Sequence, residues 1–307
     1  MRKKTSPYLI LCLLLLAQSA FSQKTRVGFG FTPHRTPSNI HGLALGIWDN
    51  SLQYPDTSMS INGIHFSVLG FGSIVPLLPG SPFDRYGPFD SKGLKILSLK
   101  QRMDSLSRNP YFGRLYLNGI SISGLGTGYD RVNGIQIGLS GLAWIQNGLM
   151  ISPIVSIVGS GRGLAISLNN HVGMYRGVLL GLNNGAIYLK GLQLGIFNQI
   201  EGRGDVQLGL VNLANEINYQ GGCYNVSFVQ NGLQIGIVNR TKTRAFLQFG
   251  IVNRSGFCSG FQLGVLNISD QNKGLQLGLV NYTKKKKSLQ IGLINIKGKK
   301  IRPFLQW

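Results

Sequence analysis

At 307 residues the chain is long enough for two ordinary domains, and 43 of those residues are glycine. The glycines recur at a fixed interval, which excludes a collagen-like chain or a disordered linker. Lysine and arginine outnumber the acids 31 to 10, a net charge of +21. That excess points to an anionic partner: nucleic acid, anionic lipid headgroups or lipopolysaccharide phosphates.

The amino terminus chooses among them. Arg2, Lys3 and Lys4 precede an apolar run from Tyr8 to Ala17, and Ala20, Phe21 and Ser22 give a small-x-small pattern before Gln23. Residues 1–22 therefore read as a secretory signal peptide. Its removal leaves a net charge of about +18. An exported chain sets nucleic acid aside as a partner and leaves outer-membrane lipid or lipopolysaccharide. No later stretch holds 18 consecutive apolar residues, so no transmembrane helix is expected. Cys12 falls in the leader's apolar core; after cleavage Cys223 and Cys258 remain, and their spacing leaves a bridge or two free thiols equally open.

Residues 23–307 read as a single β-repeat domain. Val27, Phe29 and Phe31 alternate with glycine as a first strand, Gly42–Asp49 is a degenerate copy of a phrase that recurs later, and Gly63–Gly70 is a third strand candidate. Residues 73–110 interrupt the pattern with Pro76, Pro79, Pro82 and Pro88. Within them Ile96, Leu99, Met103 and Leu106 lie on one face of a helix. This insertion reads as a functional loop, a plug or an end cap. Strands resume from Tyr111, with Gly119, Gly134, Gly148, Gly163 and Gly177 at steps of 14 or 15 residues.

The phrase is clearest from Gly191 onward. It carries glutamine and asparagine at Gln193 and Asn198, Gln207 and Asn212, Gln234 and Asn239, and Gln248 and Asn253. Gln262 and Asn267, Gln276 and Asn281, and Gln290 and Asn295 complete the series. The period is 14, except that Gln207 and Gln234 are 27 apart, so the copy between them lacks one residue. In Leu233–Asn239 the residues Leu233, Ile235 and Ile237 share one strand face, while Gln234, Gly236 and Val238 share the other. The aliphatic face is expected to be covered, by lipid or by protein. The copies resemble a family of bacterial surface-repeat proteins built from tandem G-[LV]-Q-[LI]-G-[LIV]-[VI]-N units, closely over 191–295 and partially over 42–184. The resemblance implies an exported protein at the outer membrane or cell surface of a Gram-negative bacterium and brings no activity with it. The last residues alternate through Ile301, Leu305 and Trp307, which resembles the carboxy-terminal assembly signal of outer-membrane barrels and implies the barrel-assembly machinery as a partner.

No reactive constellation emerges. The ten acids are scattered, His34, His41, His65 and His171 have no metal-ligand spacing, and Gly159–Gly163 reads as a glycine-rich turn rather than a phosphate loop. Catalytic residues, cofactor and metal are all expected to be absent. The fold class expected is all-β: 14-residue strand repeats closing into an antiparallel outer-membrane β-barrel, with a parallel β-roll or solenoid as the alternative. On the first reading the protein is a non-enzymatic barrel, structural or a small-solute pore. On the second it is a surface-exposed β-solenoid acting in adhesion or scaffolding. Antiparallel neighbours would mark the barrel; parallel, in-register contacts between residues 28 apart, two repeats per coil, would mark the solenoid.

Overall fold

The computed structural model describes residues 25–32, 37–47, 58–68, 115–285 and 288–307. Within them the chain is one sheet of twelve strands whose spatial order is the sequence order. The first five are β1 Thr25–Thr32, β2 Ser38–Gly46, β3 Met59–Ser67, β4 Leu115–Ser123 and β5 Gly126–Ile137. Then come β6 Ser140–Ile151, β7 Val155–Ile166 and β8 Asn169–Leu180. The last four are β9 Asn183–Asn272, β10 Leu275–Thr283, β11 Leu289–Lys297 and β12 Lys300–Gln306. Every neighbour from β1 to β11 is parallel and in register; only β11 and β12 are antiparallel.

This overturns the barrel. A barrel of spanning strands needs each repeat to run opposite to the last, whereas here Gln276 lies beside both Gln262 and Gln290. One 14-residue repeat is one complete turn of a coil, so the molecule is a parallel β-solenoid. Within the roll alternative the coil is also shorter than expected: contacts join residues 14 apart, one repeat per turn rather than two. The 90-residue β9 is the clearest sign of this, an unbroken strand path winding through successive turns.

Each turn is flattened into two short sides. In the amino-terminal half one corner is a column of glycines, of which Gly134 (φ +144°) and Gly177 (φ +140°) are members. A Cβ on Gly177 would lie 2.0 Å from the carbonyl oxygen of Gly163 one turn below, so both conformation and space demand glycine there. The interior of this half is apolar, built from Ile40, Ile61, Leu117, Val132, Met150 and Leu179 among others. Buried carboxamides join it from Gln136 and Gln146 onward, and past Ile217, the last member of the apolar cluster, they dominate. Gly159–Gly163, read as a turn, lies inside β7.

The large insertion leaves the stack intact. Met59 pairs with Leu115 and Ser67 with Ser123, so the turns on either side of residues 69–114 meet as direct neighbours. The helical face expected at Ile96–Leu106 and the signal peptide both lie outside the described residues. At the carboxyl end β12 folds back over β11, placing Gln306 against Gln290. The register slips between Gly292 and Asn295 opposite Pro303, and Phe304 takes φ 59°. Proline is tolerated because this is the last, edge strand. Ile301, Leu305 and Trp307, taken from sequence as a barrel-assembly signal, are exposed on β12, which runs antiparallel to β11 at the edge of the sheet.

Candidate functional site

The repeat glutamines and asparagines point inward. Gln193, Gln207, Gln234, Gln248, Gln262, Gln276 and Gln290 have no exposed surface, nor do Asn198, Asn212, Asn239, Asn253, Asn267, Asn281 and Asn295. The parallel register puts identical carboxamides one strand spacing apart, close to the repeat at which amide donors and acceptors meet. From Asn184 to Asn295 each asparagine Nδ2 donates to the Oδ1 of the next turn at 2.8–2.9 Å. The short copy joins the row through Asn225, and Gln220 plays the same part for glutamine. A second row runs from Gln193 to Gln290, each Nε2 donating to the Oε1 of the turn before at 2.6–2.9 Å. Ser227, Thr241, Ser255 and Ser269 form a third column that bonds to the glutamines. Buried polar groups are tolerable when satisfied, and these rows satisfy nearly all of theirs.

Glycine sets the parity. Gly250 shares the inward parity of Gln248, and a Cβ there would sit 2.2 Å from the Gly236 oxygen and 2.6 Å from Asn239 Nδ2. Only glycine fits beneath the asparagine row. Because strand faces alternate, glycine and glutamine inward force leucine and isoleucine outward. The chain does not cover this face itself: Leu194, Ile196, Leu210, Ile237, Val265 and Leu293 are 46–57% exposed.

These outward residues stack into three columns. One runs in register from Phe29 through Leu43, Ile64, Ile120, Ile135 and Leu149 to Leu192, and again from Phe261 to Leu289. A second runs likewise from Phe31 to Leu194 and from Leu263 to Ile291; the third includes Ile196, Leu210, Ile237, Ile251 and Val265. No charged residue enters them. Between the second and third columns lies an open trough of about 670 Å³, floored by Gly250, Gly264, Gly278 and Gly292 and walled by Leu263, Leu277, Val265 and Leu279.

A basic column borders the first aliphatic column, two residues before Leu164, Val178 and Leu192. Arg162, Arg176 and Lys190 occupy one column in register, continuing a row of asparagines (Asn62, Asn118, Asn133, Asn147) whose side chains bond at 2.8 Å. Like charges one strand spacing apart repel by about 1 kcal/mol per pair in water, so this column favours an anion beside it. Arg203 lies 3.6 Å from Glu216 and Lys284 2.6 Å from Asp270. The Asp270 hydrogen bond, then its charge, raises the Lys284 pKa. Both pairs are exposed and add little stability.

The four histidines read from sequence as surface or strand residues. His65 is a residue of β3, fully buried between Thr32 Oγ1 (3.1 Å) and Tyr129 Oη (2.5 Å), and Tyr129 donates to Ser121 Oγ at 2.9 Å. Burial lowers its pKa to about 4, so the ring is neutral. Nothing in the local sequence reveals this relay, because its members come from four different turns. Cys223 and Cys258 are free thiols: Cys223 is exposed at the third aliphatic column, and burial pushes the Cys258 thiol up to about 11. Among the described residues no three His, Cys, Asp or Glu side chains are grouped as metal ligands.

Fold and surface together define a class: a narrow parallel β-solenoid with carboxamide rows inside and an aliphatic side bordered by a basic column. Comparison of the chain with protein-family models, curated proteins and solved structures gives no match.

Proposed function

We propose that this chain is an exported, non-enzymatic β-solenoid that serves as a scaffold or adhesin at the outer membrane or cell surface of a Gram-negative bacterium. One observation carries the reading: a long aliphatic side, free of charge among the described residues, held on a stack that its internal carboxamide rows keep in register. Such a surface is built for holding another molecule rather than transforming one, since patches this long on soluble proteins mark interaction sites. The leader-like amino terminus and the resemblance to surface-repeat proteins support the location. The basic column of Arg162, Arg176 and Lys190 suits lipopolysaccharide phosphates, each basic residue adding about 1 kcal/mol near an anionic surface.

Cell fractionation with trypsin treatment of intact cells tests this. The protein is expected in the outer-membrane fraction and to be cut from outside; retention in the cytoplasm would overturn it. Binding to lipopolysaccharide that weakens with salt is expected as well, and it should drop in an Arg162→Gln, Arg176→Gln variant.

A further inference from the structure

We infer that the aliphatic side is the mating surface of a face-to-face pair of this chain. The inference rests on the reading of that side as the working surface and names its occupant.

Size comes first. About sixteen turns at ~4.8 Å each give a face roughly 75 Å long, and three alternate strand positions span about 14 Å. One copy therefore offers on the order of 1,000 Å², and a mated pair would bury roughly 2,000 Å², at the threshold of obligate homodimers. A patch confined to a passing contact would not need every turn of the stack.

Shape comes second. Register makes each column a straight ridge of like side chains, and the trough between Leu263–Leu277 and Val265–Leu279 is a straight groove with a glycine floor. A ridge from an identical surface fits such a groove, giving two sheets packed about 10 Å apart.

Area argues for a second copy, because the face is large enough for a stable homodimer. Arg162, Arg176 and Lys190 stand two residues from Leu164, Val178 and Leu192 of the first column, so they border the mating surface without entering it. Like charges along such a border are screened beyond about 8 Å at physiological salt.

The test uses the full mature chain in detergent-free buffer. Sedimentation velocity is expected to give twice the chain mass, and Cys223, exposed at the third column, should react with a small maleimide at least about tenfold more slowly than in the Leu210→Glu, Ile237→Glu variant. That variant should sediment as a monomer with an unchanged β-sheet circular-dichroism spectrum. If it fails to fold, the parent's mass and its Cys223 protection decide alone. A monomeric parent with a freely reacting Cys223 would overturn the proposal, as would uptake of a monomer by phosphatidylglycerol vesicles. The two readings fail separately: a cytoplasmic pair would sink the surface location only, and a surface-exposed monomer would sink the pairing only.

Discussion

The asparagine row makes the sharpest prediction. Asn253 accepts from Asn239 at 2.9 Å and donates to Asn267 Oδ1 at 2.9 Å and Leu263 O at 2.8 Å. Asn253→Asp preserves the shape and replaces the donating nitrogen with an oxygen. Two acceptors then face a third, with no water to intervene. Each buried group left without its partner costs about 1–3 kcal/mol, so the loss is roughly 2–6 kcal/mol before any cost of burying charge. Against a total stability of about 5–15 kcal/mol, that is enough to unfold part of the stack. Burial and the two facing oxygens raise the carboxyl pKa in the folded variant above its unfolded value. The folded form therefore binds protons more readily, and the deficit relative to the parent is smallest at acid pH and grows as pH rises through the unfolded pKa. Urea titrations followed by circular dichroism, parent and variant at each pH, measure the difference. Asn295→Asp is the comparison: Asn295 still accepts from Asn281 and loses only its 3.0 Å bond to Gly292 O, so its deficit should be about half as large, roughly 1–3 kcal/mol. Equal stability of Asn253→Asp and the parent at neutral pH would refute the argument.

Three more predictions follow the same physics. Gly250→Ala places a methyl 2.2 Å from a backbone oxygen and should destabilise by about 2 kcal/mol or more in the same titrations, because the neighbouring turn has to move. Stability from neutral His65 is full above pH 6.5 and falls as pH drops towards the folded pKa of about 4, a loss of about 3 kcal/mol that His65→Gln should abolish in pH-dependent melting. Deleting residues 300–307 removes Gln306 from Gln290 and uncovers the β11 edge, so light scattering should show concentration-dependent growth beyond the parent's size.

The period, the glycine steps and the paired glutamine and asparagine positions were legible from sequence, because each is a local pattern repeated many times. Strand direction was not. A 14-residue repeat satisfies an antiparallel strand with its turn as readily as one turn of a coil, and only the in-register neighbours of Gln276 separate them. The outward facing of Leu263 and Val265 was legible on the barrel reading, which turned them to lipid, but not on the solenoid reading, which buried them. Burial scales place leucine inside, but here the room beneath Asn253 admits nothing larger than Gly264, whose Cβ would lie 2.6 Å from Asn253 Nδ2. Backbone crowding, not hydropathy, decides the orientation. The alternation ending at Trp307 suited a membrane strand equally well, until β12 proved to run back along β11.

The two amide rows run in opposite senses. Asparagine hydrogens aim toward the carboxyl end of the rod, as in Asn253 to Asn267, while glutamine hydrogens aim toward the amino end, as in Gln262 to Gln248. Aligned in one direction they would sum to an axial polarity like that of a long helix. Opposed, they largely cancel, and lengthening the rod by further turns adds no field at its tips. Strain collects instead where a row stops, at the buried Gln290 and Gln306 oxygens that no hydrogen reaches. Length is thus set by the ends rather than by the interior, which suits a protein that grows by duplicating a 14-residue unit.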